Sequence, residues 1–133
     1  MTFARMAVER SVELGVGVYD ATLEGTDLIV RDVVESRCDA CDRVGGIGLG
    51  VYYESSATIA RYAVSDASLV GAHLALGGVG DLSDGLVERS VVGISIGTPM
   101  FDATRALECV VFHDVEDEQQ TREIAVPPPL TTL

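Results

Sequence analysis

Hydrophobic residues fall on alternate positions at the start of the chain. Met6, Val8, Val12, Leu14, Val16 and Val18 take even positions, interrupted only by Arg10, with small or polar residues between them. A period of two marks a strand with one buried face. A helix would scatter these valines around its circumference, and Gly15 and Gly17 would each cost it about 1 kcal/mol. Glu24-Gly25 breaks the pattern and residues 28–34 resume it, which reads as a hairpin. Ile47, Leu49, Val51 and Tyr53 alternate again, Glu54-Ser55-Ser56 turns, and residues 58–64 form a return strand.

Residues 66–76 carry an N-cap at Ser65-Asp66, the spaced pair Val70 and Leu74, and the stop Gly77-Gly78, which reads as one short helix or, at this length, equally as another strand. Val92, Ile94 and Ile96 share a face of the next strand. In residues 105–115 both faces are apolar, which predicts a central, doubly covered strand. A short strand over 121–126 precedes Pro127-Pro128-Pro129, where regular structure ends because proline donates nothing to a ladder. No repeat stands out. About seven or eight short strands with regular turn signals predict an all-β domain, a sandwich or small barrel with a jelly roll among the options. The domain spans residues 1–126, and 127–133 form a proline-rich tail.

Composition adds the solvent. The 133 residues include no lysine, asparagine or tryptophan, and nine arginines face 21 acids for a net charge of −12. Carboxylates retain water in concentrated salt, where the Debye length is about 3 Å at 1 M and like charges barely repel. Such a composition resembles that of haloarchaeal proteins and of their viruses in general, and implies a virion or a haloarchaeal cytoplasm. The charge argues against nucleic acid, which needs a cationic footprint. No apolar run reaches the ~18 residues of a membrane-spanning helix, so no membrane insertion is expected. Without lysine there is neither a Walker A phosphate loop nor Schiff-base chemistry.

The remaining motifs carry little chemistry. Gly45-Gly46-Ile47-Gly48-Leu49-Gly50 precedes a strand, opposite to a dinucleotide-binding turn. Cys38-x-x-Cys41 with Cys109 and His113 has the residue types of a Cys3His zinc site, making zinc the one cofactor candidate. On a regular strand, however, Cys109 and His113 would sit roughly 13 Å apart, too far for one tetrahedral ion. The Cys38/Cys41 pair as a redox centre has only Arg43 nearby to lower a thiol pKa. His73 lies in an apolar stretch and reads as a hydrogen-bonded core histidine, whereas His113 and the acids 114–118 read as solvated surface.

These readings favour a non-enzymatic structural or assembly subunit, most concretely a small coat, penton, decoration or connector protein of a halophilic virus. The alternative is a small haloarchaeal ligand- or zinc-binding protein or enzyme using Cys38 and Cys41. Partners are expected to be other protein subunits, in a homo- or hetero-oligomer. Arg10, Arg61 and Arg89 interrupt strands, where each can pair in a bidentate way with a carboxylate of a neighbouring strand or subunit. Pro127, Pro128 and Pro129 complete the expected interface, since a polyproline segment loses little entropy on docking.

Overall fold

The computed structural model describes residues 1–36, 45–121 and 124–128. The chain coils through five stacked rungs. The first holds β1 (Thr2–Phe3), β2 (Met6–Val12) and β3 (Leu14–Tyr19). The second holds β4 (Thr22–Val34) and β5 (Ile47–Tyr52), and the third β6 (Ser56–Ala67) and β7 (Val70–Leu74). Rung four is the single strand β8 (Val79–Ile96). Rung five is a 3-10 turn, Ala103–Ala106, followed by β9 (Glu108–Gln120).

Every pairing between these strands is parallel. Met6, Leu28, Tyr62, Gly85 and Val110 occupy one position on successive rungs. So do Leu14, Ile47, Val70, Val92 and Asp117. The first series builds a wall from β1, β2, β4, β6, β8 and β9. The second builds a wall from β3, β5, β7 and the C-terminal parts of β8 and β9. Because β8 and β9 run through both walls, the two form one sheet curled into a half-barrel.

This architecture overturns the sandwich, barrel and jelly-roll expectations, and with them the hairpin and the helix over 66–76. Strands adjacent in sequence do not pair back on each other; each pairs with the strand one coil later. Residues 66–76 belong to β6 and β7, where Val70 and Leu74 lie in parallel register with Val92 and Ile96. The expected central strand at 105–115 is an edge: among the described residues β9 pairs only with β8.

Corners explain how a long strand bends without losing its buried face. In β6, Ala57 and Ile59 are buried, then Tyr62 and Val64, then Ala67. The inward parity changes after Arg61 and again after Asp66, both of which have positive φ (58° and 56°). A one-residue slip sends side chains to the opposite face, so one left-handed residue at each bend returns the next apolar residue to the core. Equivalent corners hold Asp27, Asp84 and Cys109 in one column, and Arg10, Asp32, Arg89 and Asp114 in the other, all at positive φ. Arg10 broke the alternation of the first strand for this reason.

The main core lies between the walls. Leu28, Val30, Val33, Tyr62, Val64 and Val87 from the first wall meet Leu49, Val51, Leu74 and Ile94 from the second. A smaller cluster of Ile47, Val70 and Val92 packs with Leu14, Leu69, Val91 and Ile124. The C-terminal segment therefore crosses the second wall, and the Tyr19 hydroxyl donates to the Pro127 carbonyl at 2.7 Å. That links the end of the described chain back to the first rung.

Candidate functional site

Three features stand out against this frame: a ladder of ion pairs on the first wall, a buried polar column on the second, and an apolar mouth at the first rung. The ladder joins consecutive rungs. Arg61 Nε donates to Asp27 at 2.8 Å and its Nη2 to the second oxygen at 3.2 Å. Arg89 grips Asp66 in the same way at 2.8 and 3.0 Å, and Arg105 grips Asp81 at 2.8 Å through both nitrogens. Arg31 reaches Glu9 at 3.3 Å. The guanidinium hydrogen bonds hold the Asp27, Asp66 and Asp81 carboxyls below their ordinary range and raise the arginines in turn. In every such pair the acid lies on the earlier rung and the arginine on the later one. The looser approach of His113 to Glu88 (3.9 Å) has the same sense.

The polar column runs Gly17, Gly50, His73, Ser95, Gln120 in register, and it is buried at Gly50, His73 and Ser95. The Tyr52 ring folds over Gly50, where a side chain would collide with it. This brings the Tyr52 hydroxyl 3.0 Å from His73 Nδ1, within hydrogen-bonding distance. Burial lowers His73 to about 4, so the ring is neutral at pH 7, and it pushes Tyr52 upward. Tyr19, tilted against Tyr52 at 5.3 Å between ring centroids, is pushed up to about 12. The Ser95 hydroxyl and the Gln120 amide nitrogen are buried without a hydrogen-bond partner among the described residues. His73 is thus the hydrogen-bonded buried histidine that its apolar context predicts.

The mouth is a cavity of about 680 Å³ lined by Met6, Val8, Val16, Val18, Leu23 and neighbouring residues, with Glu13 as its one carboxylate and Pro127 and Pro128 at its rim. Its floor is the end of the main core, because no rung precedes the first within the described residues. The opposite end is similar: Leu107, Val110, Phe112 and Val115 pack on the core but remain only partly buried.

Of the residues singled out in the sequence, Arg61 and Arg89 pair with carboxylates of neighbouring strands within the chain. Arg10 is exposed and makes no ion pair among the described residues. Pro127 and Pro128 reach the mouth of the chain's own solenoid. Cys38, Cys41 and Pro129 lie outside the described residues. Cys109 is exposed at a left-handed corner and His113 lies beyond it on β9. Among the described residues no three His, Cys, Asp or Glu side chains converge on a metal position. Sequence reasoning missed Asp27, Asp66 and Asp81. The signal available was a duplicated pentapeptide, Val-Glu-Arg-Ser-Val at 8–12 and again at 87–91.

Comparison with family models, curated proteins and solved structures finds no match for this chain.

Proposed function

We propose that the chain is a structural, assembly-forming subunit that joins other protein subunits through the ends of its solenoid. The observation that carries this reading is the apolar, uncapped mouth at the first rung, together with a last strand whose outer edge pairs with nothing described. Unpaired parallel edges over an exposed core invite another chain, and coiled repeat folds need capped ends to stay apart. Among the described residues neither end carries a polar cap: Val12 is 61 % exposed beside the mouth and Val111 is 61 % exposed on β9. The acidic, lysine-free surface suits an assembly in concentrated salt, of which a haloarchaeal virus particle is the most concrete instance.

The test is mass as a function of concentration and salt. Light scattering should give masses above the 14.0 kDa monomer that rise with protein concentration. They should also rise with KCl up to about 1 M, because salt screens the repulsion between chains of like charge and strengthens apolar burial. A monomer at every concentration and salt would defeat the reading.

A further inference from the structure

Resting on that reading, we infer that the partner is a second copy of this chain, docked head to tail, with the β9 edge of one copy against the β2 edge of the next and Asp114 opposite Arg10.

The ladder's polarity carries the argument. Among the described residues each inter-rung pair given runs from an acid on the earlier rung to a base on the later one. A ladder of that sense leaves a base without an acid on the first rung and acids without a base on the last. The described residues show this pattern. Arg10 has no carboxylate within ion-pair distance, while the last rung carries Asp114, Glu116, Asp117 and Glu118 with only His113 near Asp114 (3.4 Å). A second copy supplies each end with what it lacks.

The duplicated pentapeptide gives the register. Residues 87–91 stack on β6, with Val64 beside Val87 and Ser65 beside Glu88; one position on, Asp66 grips Arg89 through two hydrogen bonds. Residues 8–12 repeat that pentapeptide on the first rung, where among the described residues β2 pairs only with β4, on its later side. On β9, Phe112, His113 and Asp114 occupy the positions of Val64, Ser65 and Asp66, since Phe112 follows Val87 and His113 follows Glu88 in register. Docking β9 before a second copy's β2 therefore repeats an interface the chain already makes: Phe112 covers Val8 and the mouth, and Asp114 faces Arg10. Arg10, Asp66, Arg89 and Asp114 are all left-handed corner residues, so the backbones match as well.

The contact is confined to the first wall. On the second wall, Gly15, Gly48, Gly71 and Gly93 form a column in which a side chain would lie 2.6 to 2.8 Å from a carbonyl of the next rung. The last rung has Glu118 at that position, so a following rung cannot stack there in the same way. Because the two docking edges are different surfaces, the association does not close on itself and produces rods.

Charge reversal tests this. Arg10→Asp and Asp114→Arg change exposed side chains at corners where the chain already uses both Arg and Asp, and circular dichroism checks that both variants keep the parent's strand content. The parent's mass should grow with concentration without a fixed limit. Each variant alone should associate about tenfold more weakly, since like charges then meet. An equimolar mixture should recover the parent's growth, because the two reversed side chains attract each other at one junction and Asp114 meets Arg10 at the next. A closed dimer of fixed mass, or single variants that assemble like the parent, overturns the head-to-tail arrangement and leaves the assembly reading standing. A chain monomeric throughout overturns both.

Discussion

The two walls solve the same stacking problem with different chemistry. The first wall exposes one face of each strand and ties its rungs together there with arginine and aspartate. The second is covered on both faces in its middle rungs: all of β5 and all of β7 are buried. Its rungs approach through glycine and small residues, and the C-terminal segment lies over it. Exposed ion pairs specify register and are individually weak; close backbone packing tolerates almost no added volume. The walls should therefore respond very differently to substitution.

The sharpest break is Gly71→Val. A Cβ there would sit 2.8 Å from the Gly93 carbonyl and against Val87, and the backbone has no flexible end to yield. We expect a loss of at least about 3 kcal/mol, read as a lower urea midpoint, or failure to fold. An unchanged midpoint would mean that the second wall is far looser than its register implies.

Acid should also strike the second wall first. His73 is neutral when folded down to about 4 but protonates near 6.5 when unfolded. The unfolded chain therefore binds the extra proton between those values, and stability falls as pH drops from about 6.5 to 4. The loss reaches about 3 kcal/mol for a group this buried. Asp27, Asp66 and Asp81 have depressed folded values, so their contribution is lost only below the ordinary carboxylate range of 3.8. Urea titrations at pH 7 and pH 4.5 should show the loss in the parent and little of it in His73→Gln. Equal losses in the two would assign the acid sensitivity elsewhere.

Much of this difference was invisible along the sequence. Period-two patterning placed the strands, because one face of each is buried whichever way it pairs. It could not give the direction of pairing, since each partner lies one coil away and the coils differ in length: Arg61 and Asp27 are 34 residues apart, against 23 for Arg89 and Asp66. That unequal spacing also hid the repeat. Corners escaped notice where they use Arg10, Arg61 and Arg89 at positive φ, since turns are recognised by Gly, Pro, Asn, Asp and Ser and not by arginine; the aspartate corners Asp27, Asp32, Asp66, Asp84 and Asp114 use ordinary turn chemistry. The arginines themselves were legible as bidentate partners, but their acids needed the register.

A smaller effect separates the covering segment from the wall beneath it. Tyr19→Phe removes the hydroxyl that donates to Pro127 and leaves the ring in place. The expected cost is about 1 kcal/mol. Hydrogen exchange should quicken at Ala125 and Val126 and stay unchanged in β5 and β7. Faster exchange in β5 as well would make the segment a structural member of the second wall.

The smallest expected effect belongs to the first wall. Arg89→Gln removes a bidentate pair to Asp66 and a contact to Glu88 at 3.2 Å, yet Arg89 remains about half exposed. Solvent and salt screen such a pair, and ordering two side chains offsets much of its attraction. The melting temperature should fall by only about 1–2 °C at low salt and by less in about 1 M KCl, where the Debye length is about 3 Å. If the ladder sets register rather than stability, reversing Asp66 and Arg89 together should restore the parent's melting temperature, because the corner accepts either residue. A large drop for Arg89→Gln that persists in high salt would show instead that its alkyl stem carries packing, and the contrast between the walls would narrow to their glycines.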